Sequence, residues 1–171
     1  MKNKITLRKL KKFIRELEKR KIKYMIIAGF AIDGKKGFIS REHEDIDVLC
    51  AKEDKRKVEE LIIGLEYNKE KYNDLYKLKN KKGVKDVDLC LVSEEGDFAV
   101  TYGKIAITKF PKKLFDNPQI GRLGDLKFKI AQNELLKTWG QYSKKEDDVC
   151  YVKRLKADEK IMKKIKRELR K

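Results

Sequence analysis

The sequence predicts an α/β (α+β) fold, a small mixed sheet flanked by helices and followed by a C-terminal helical region. Short apolar runs bounded by glycine or turn residues, as at 23–28 and 46–50, are typical of buried strands. An amphipathic stretch at 52–65 indicates a helix between strands. The 171 residues suit one compact unit with a small appendage, and we divide them into a core at 1–125 and a helical region at 126–171.

The first third of the chain alternates helix and strand signals. Thr6 can cap a first helix, because apolar residues follow it at helical spacing. Gly29 ends the first buried strand, and Phe30 begins a short helical turn before a glycine-containing loop. The strand at 46–50 then precedes the helix at 52–65. This order favours strands packed against helices.

Short strands are expected in the middle of the chain, at 75–78, 84–92, 98–101 and 105–108. The turn at 80–83 ends in Gly83 and pairs the first two of them. From Phe110 to about Leu126 we expect a loop. After Ala131 the pattern is helical, with segments at 134–139, 146–155 and 158–169.

Composition constrains the partners and the compartment. A formal net charge of +17, carried mostly by lysine, raises the prospect of a polyanionic partner such as RNA. The longest apolar run is too short for a signal peptide or a membrane span, so we expect no membrane association. Three widely spaced cysteines are interpreted as reduced thiols, which favours a cytoplasmic protein.

Two aspartates carry the clearest chemical signal. Residues two apart in a strand point to the same face, so Asp45 and Asp47 stand side by side while Ile46 and Val48 face the core. Adjacent carboxylates repel each other unless a cation lies between them. The pair therefore predicts a site for a divalent metal, and oxygen ligands suit Mg²⁺.

A third carboxylate is expected from a later strand. Asp86 and Asp88 share one face of the strand at 84–92, so the sequence alone leaves both open, with Asp88 favoured. Such a site can hold two Mg²⁺ ions and chelate a nucleoside triphosphate. The backbone after Gly29 can approach phosphates closely, because glycine has no side chain and a helical turn begins there.

The motifs around these residues resemble the polymerase-β-like nucleotidyltransferase superfamily. Gly29-Phe30-Ala31-Ile32-Asp33, Gly37 and Arg41-Glu-His43-Glu-Asp45-Ile-Asp47 are most similar to the small lincosamide and aminoglycoside nucleotidyltransferases. Val87-Asp88-Leu89 matches the strand that carries the third aspartate, and segments 134–137 and 145–148 match a C-terminal helical motif more weakly. The resemblance implies a nucleotidyltransferase fold with its catalytic core at 1–125.

It also implies a reaction, the transfer of a nucleoside monophosphate from an NTP, ATP being the first choice, to a hydroxyl with release of pyrophosphate. Asp45 and Asp47 would bind both Mg²⁺ ions, and Asp88 would complete the acceptor-side metal and accept the hydroxyl proton. Four residues of the same motif would bind the nucleotide, namely Gly29, Phe30, Arg41 and His43. For Arg41 a surface ion pair, and for His43 a structural role in the loop, stay open.

The acceptor is less well defined by the sequence. The resemblance implies a small antibiotic-like molecule, whereas the basic charge favours a neutral or anionic acceptor over a polycation. An acidic segment at 94–97 is a candidate for holding a cationic acceptor. The alternative is a nucleotidyltransferase-like module that acts on or binds a protein or RNA, of toxin–antitoxin or tRNA-related type. A homodimer is also open.

Overall fold

The computed structural model describes residues 5–103, 106–141 and 143–169. The helices are α1 (Leu7–Lys19), α2 (Ala28–Lys36), α3 (Lys55–Gly64), α4 (Lys113–Asp116), α5 (Asn133–Gly140), α6 (Glu146–Lys153) and α7 (Glu159–Met162). The strands are β1 (Tyr24–Ile26), β2 (Ile46–Ala51), β3 (Asn68–Tyr72), β4 (Leu75–Lys79), β5 (Lys85–Glu95), β6 (Phe98–Tyr102), β7 (Ala106–Pro111), β8 (Gln119–Leu123), β9 (Leu126–Ile130) and β10 (Lys166–Leu169). A short 3₁₀ turn, Lys52–Asp54, precedes α3.

These strands form one mixed sheet in the order β10-β7-β6-β5-β2-β1-β9-β8. β2 runs parallel to β5, and β1 runs parallel to β9, while the other pairs are antiparallel. The long strand β5 pairs with β4 along its first half and with β6 along its second. The predicted α/β class, a mixed sheet flanked by helices, is confirmed.

The helices contribute apolar faces to a common core. Every third or fourth residue of α1 is buried, namely Leu10, Phe13, Ile14 and Leu17. Thr6 caps this helix, because its Oγ1 accepts a hydrogen bond from the Lys9 backbone N–H at 3.3 Å. Burial of one such large apolar side chain contributes about 1.5–3 kcal/mol. In the part of the chain that the structure describes, no helix is long and apolar enough to cross a membrane.

Two predictions for the second half of the chain are wrong. The segment expected to be a loop from Phe110 to about Leu126 contains the end of β7 together with α4 and β8. The expected helix over 158–169 ends at Met162, after which β10 pairs with β7. β10 is exposed along its whole length, so no apolar alternation indicated a strand there.

Other predicted elements are confirmed within a few residues. The turn at 80–83 joins β4 to β5, and helices occupy most of 134–139 and 146–155. The strand expected at 105–108 is β7, although Ile105 lies outside the described residues. β3 was not predicted, because all five of its residues are exposed and it is held by backbone pairing with β4.

Candidate active site

Three aspartates converge at one end of the paired strands β2 and β5. Asp47 lies opposite Asp88 in the parallel register, and Asp45 comes directly before β2. Each of the three offers a carboxylate oxygen, and these oxygens all lie within 4.8 Å of one another. We call Asp45, Asp47 and Asp88 the carboxylate triad. Among the described residues this is the group of acids suited to hold a metal ion.

The electrostatics of the triad fit a bound cation. Burial, and then the neighbouring carboxylates of Asp45 and Asp88, raises the pKa of Asp47 to about 7. Asp88 Oδ1 is buried without a hydrogen-bond partner. Three close carboxylates with an unsatisfied oxygen are the kind of ligand set that a hard divalent cation such as Mg²⁺ prefers. The residues present therefore fit the metal that the motif implies.

A β-bulge near the start of β5 determines which acid joins the triad. Leu78 of β4 pairs with Val87, but the next residue, Lys79, pairs with Lys85. Asp86 is therefore an extra residue on β5, and the alternation of side chains is broken there. Each residue of β5 before the bulge therefore points to the face of the sheet opposite to the one it would occupy in a regular strand.

The bulge separates Asp86 from Asp88, although the two would share a face in a regular strand. Asp86 is buried and accepts hydrogen bonds from Lys9 Nζ at 3.2 Å and Asn80 Nδ2 at 3.1 Å. In its place Lys85 reaches the triad, with its Nζ 2.8 Å from Asp88 Oδ2. The structure thus places Asp88, the favoured acid, beside Asp45 and Asp47, and Asp86 elsewhere.

Helix α2 begins at the edge of this site. Ala28, its first residue, has φ +55°, which is an uncommon conformation for a residue with a side chain. At Gly29 an added Cβ would lie 2.5 Å from Arg41 Nη2 and 2.7 Å from His43 Nδ1. Only glycine leaves space for these two side chains against the start of the helix. The first N–H groups of α2 have no partner within the helix, so this end can receive an anion.

His43 is held rigidly beside the helix. Its ring is buried and stacks on Phe30, with the ring centroids 4.0 Å apart. Its Nε2 lies 2.6 Å from Asp33 Oδ2, and Ser40 donates a hydrogen bond to the other oxygen of Asp33. Burial acts to raise the pKa of Asp33, but the hydrogen bonds from His43 and Ser40 outweigh it and lower the pKa overall.

Arg41 connects the motif to the C-terminal helices. Its Nη2 donates a hydrogen bond to Asp148 Oδ2 at 2.7 Å, and its Nε lies 3.2 Å from the same oxygen. Asp148 lies on α6 and is buried, whereas a quarter of the Arg41 side chain is exposed. The guanidinium is thus oriented from one side by a carboxylate and remains accessible from the other.

These groups surround a cavity of about 200 Å³. One wall combines the start of α2 with acidic and basic side chains, namely Ala28, Gly29, Ile32, Arg41, His43, Asp45, Asp47 and Asp148. The opposite wall comes from α5 and the residues after it, namely Leu136, Trp139, Gly140 and Ser143. The Trp139 ring also packs edge-on against Phe110. Asp45 and Asp47 of the triad therefore line the same cavity as the apolar side chains of Leu136 and Trp139.

The structure brings most of the predicted site residues together, with Phe30 as the exception. Gly29, Arg41 and His43 line the cavity, whereas Phe30 is buried behind His43. The sequence interpretation missed Lys85 and the role of Asp148. For Asp148 the only signal was the weak match of segment 145–148, and Lys85 gave none because the bulge is not visible in the pattern.

The acidic segment at 94–97 is not part of this cavity. It lies at the opposite end of β5 from Asp88, about 20 Å away at the usual rise of a strand. Glu94 is also engaged by Lys23 and Lys112, at 3.3 Å and 2.5 Å. The expectation that it could hold a cationic acceptor is therefore wrong.

Comparisons with known proteins agree with this geometry. A sequence model of the aminoglycoside-2''-adenylyltransferase family matches residues 9–121, which is well over half of the chain. None of the curated proteins matches the chain in sequence. The matched region contains the whole of the motif from Gly29 to Asp47 together with Asp88.

Several solved structures share the fold. The lincosamide antibiotic adenylyltransferase LnuA, in its lincomycin-bound crystal structure, aligns with TM-score 0.70 at 20% identity over 90% of this chain and 100% of that one. The solution structure of ANT(2'')-Ia, an antibiotic-resistance factor, aligns with TM-score 0.61 at 15% identity over 84% of this chain and 78% of that one. ANT(2'')-Ia with adenylyl-2''-tobramycin gives 0.58 at 14% identity over 84% of each chain. These similarities support the predicted fold.

Proposed function

The chain belongs to the aminoglycoside-2''-adenylyltransferase family and is a nucleotidyltransferase, and on that premise we propose that it transfers AMP from ATP to a small-molecule hydroxyl. Pyrophosphate is the leaving group, and the reaction depends on Mg²⁺. The observation that carries the proposal is the convergence of Asp45, Asp47 and Asp88 within 4.8 Å beside the start of α2. This arrangement suits a carboxylate-held metal next to a phosphate-binding helix end.

The triad supplies the ligands and the base. Asp45 and Asp47 would hold Mg²⁺, with Asp88 completing the acceptor side. When bound, Mg²⁺ supplies Lewis-acid stabilisation of charge on the phosphate oxygens and lowers the pKa of a nearby hydroxyl. Asp88 is suited to accept the hydroxyl proton, because its Oδ1 has no hydrogen-bond partner. The proton moves from the acceptor oxygen to this carboxylate as the new P–O bond forms.

The basic and backbone groups receive the triphosphate. The start of α2 lines the cavity, its first N–H groups have no partner within the helix, and Gly29 would let a phosphate come close. Arg41, already oriented by Asp148, is placed to bind phosphate oxygens with its exposed face. His43 is held by Asp33 and Phe30 and fixes the shape of this wall.

The acceptor is proposed to be weakly charged and partly apolar. The α5 wall of the cavity offers Leu136, Trp139 and Ser143, a mixture suited to a small molecule with an apolar body and hydroxyl groups. The net charge of +17 disfavours a polycation at long range. A lincosamide-like molecule meets both conditions better than an aminoglycoside does.

The proposal is tested by following label from ATP to an acceptor. The protein is incubated with Mg²⁺, ATP labelled at the α phosphate and a panel of lincosamides, aminoglycosides, tRNA and proteins. We expect label on a lincosamide-type acceptor, no transfer with ATP labelled at the γ phosphate, and loss of transfer in Asp47→Asn. Equal transfer by Asp47→Asn would refute the assignment of the metal site, and label on tRNA or protein would favour the alternative acceptor class.

A further inference from the structure

Lys85 places an ammonium group inside the carboxylate triad. Its Nζ lies 2.5 Å from Asp45 Oδ2 and 2.8 Å from Asp88 Oδ2. The ammonium therefore contacts two of the three carboxylates that would share a divalent cation. In the metal-free protein these contacts offset the repulsion between the carboxylates.

The position of Lys85 is built into the strand. Residues three apart in a regular strand point to opposite faces, so Lys85 and Asp88 would not meet. The bulge at Asp86 adds one residue to β5 and brings both side chains to the same face. The ion pair thus results from the register of the sheet and not from a chance contact of a flexible surface lysine.

The ammonium satisfies the triad only in part. It carries one positive charge for three carboxylates, and Asp88 Oδ1 stays buried without a partner. The Lys85 side chain is 34% exposed, so its end can move into solvent without disturbing the core. A divalent cation offers twice the charge and more coordination positions than an ammonium. The Lys85 ammonium therefore replaces a metal ion only in part, and it can leave the triad when a metal ion binds.

Resting on the proposed function, we propose that Lys85 is the resident counter-ion of the metal-free triad, and that a divalent cation binds by displacing its ammonium from Asp45 and Asp88. The lysine then sets the metal concentration at which the site fills, because every binding event has to break the two ion pairs. It also stabilises the protein before the metal arrives, since three close carboxylates would otherwise repel each other.

Mn²⁺ binding without nucleotide tests this directly, with Lys77→Met as the matched control. Lys77 lies opposite Asp88 on β4, but its ammonium lies near the Tyr72 ring, 5.9 Å from the centroid. By calorimetry we expect Lys85→Met to bind Mn²⁺ about tenfold more tightly than wild type, whereas loss of the same charge in Lys77→Met shifts the dissociation constant less than about threefold. Lys85→Arg, which keeps the charge, should bind like wild type.

A second readout uses the protein in EDTA. Thermal unfolding should show a lower midpoint for Lys85→Met than for wild type, with Lys77→Met unchanged, because only Lys85 neutralises the triad. Unchanged or weaker Mn²⁺ binding by Lys85→Met overturns the inference, as does an equal gain in Lys77→Met. If Lys85→Met binds Mn²⁺ more tightly but the wild-type protein transfers no AMP, the inference about Lys85 is supported and the proposed function is wrong. If neither wild type nor Lys85→Met binds Mn²⁺, both are wrong.

Discussion

Asp47 illustrates how the local environment of one residue shapes the chemistry of the site. It is fixed opposite Asp88 by the parallel pairing of β2 and β5, and Asp45 is two residues away on the same chain. Folding buries Asp47 and brings these carboxylates together with one ammonium, that of Lys85, between them, so the charged form of Asp47 is disfavoured and its pKa is raised. The ionised form of Asp47 therefore lowers the stability of the metal-free protein, and on the proposed function a bound metal ion would offset that cost.

The first prediction concerns Asp47→Asn in EDTA. The pKa of Asp47 is about 7 in the folded protein and about 3.9 when unfolded, so its favourable contribution is complete below about pH 4 and is lost as the pH rises to about 7. Asparagine mimics the neutral form. At pH 8 we expect the variant to unfold about 5 °C or more above wild type, because about 1 kcal/mol corresponds to about 2–4 °C for a chain of this size and the raised pKa is linked to more than that free energy.

The pH dependence provides the control for that measurement. Near pH 3 the two proteins should unfold at nearly the same temperature, because Asp47 is then mostly protonated in both the folded and the unfolded state. An advantage of Asp47→Asn that is the same at about pH 3 and about pH 8 would show that ionisation of Asp47 is not its cause.

A second prediction at this scale concerns Gly29→Ala. The new Cβ would lie 2.5 Å from Arg41 Nη2 and 2.7 Å from His43 Nδ1, and both side chains are held by other partners. We expect kcat/KM for the nucleotide to fall about 100-fold, since a shift of about 1 Å at a reacting group has such an effect. The effect is measured by steady-state kinetics, and circular dichroism checks that the variant is folded.

Gly64→Ala is the matched control for Gly29→Ala. Gly64 ends helix α3, and an added Cβ there would meet only the end of the flexible Arg20 side chain within 3 Å. Its kinetics should equal those of wild type. Comparable activity of Gly29→Ala and Gly64→Ala would mean that the close approach at Gly29 has no functional role.

The site could be predicted from the sequence where residue spacing alone decides the geometry. Asp45 and Asp47 were found from the period of a strand, and their meeting with Asp88 follows from the parallel pairing of β2 and β5. The choice between Asp86 and Asp88 could not be derived in this way, because it depends on a bulge in the pairing of β4 with β5.

At the level of whole elements, helix α6 contacts the motif although the two lie about a hundred residues apart in the sequence. Asp148 on α6 is buried and accepts hydrogen bonds from the Nε and Nη2 atoms of Arg41. Hydrogen bonds to charged groups contribute about 1.5–3 kcal/mol each. The C-terminal helices therefore hold Arg41 in place, and on the proposed function they help to form the nucleotide side of the site.

Asp148→Asn tests this coupling. The substitution keeps the size of the side chain but removes the charge that orients Arg41, so we expect the nucleotide KM to rise about tenfold with a smaller change in kcat. Asp147→Asn, an exposed neighbour on the same helix, removes the same charge and should change neither constant. A fall in kcat with an unchanged KM would contradict the role given to Arg41.

Most elements with one buried face were predicted, although β8 and β9 were missed despite their alternating burial, because 110–126 was interpreted as a loop. α1 and α3 carry clear apolar stripes and were found, as were β2 and β5. By contrast β3 and β10 expose all of their side chains and depend on backbone pairing with a neighbouring strand. The lysine-rich stretch of β10 was interpreted as the end of a helix because apolar spacing was the only available signal.

At the scale of the whole molecule, the charge of the chain and the charge of the site have opposite signs. The protein carries 45 lysine and arginine residues against 28 acids, yet its reactive end contains three close carboxylates. On the proposed function, the basic exterior would attract the anionic triphosphate over long distances. Near the triad, that anion would need a bound cation to offset the three carboxylates.

Salt should therefore weaken capture of the nucleotide. Between about 50 and about 300 mM KCl we expect kcat/KM for ATP to fall about three- to tenfold, because mobile ions screen the field of the basic surface. The value of kcat at saturating ATP should stay nearly constant, which separates screening from loss of structure. Rates that do not depend on salt would rule out steering by the net charge.

The most direct test of the carboxylate triad compares Asp88→Asn with Asp86→Asn in the AMP-transfer assay. The two acids are both on β5, two residues apart, but Asp88 joins Asp45 and Asp47 while Asp86 is engaged by Lys9 and Asn80. We expect Asp88→Asn to lower kcat by about 10³-fold or more and folded Asp86→Asn to stay within a few-fold of wild type. Loss of transfer in Asp86→Asn with activity retained in Asp88→Asn would contradict the account.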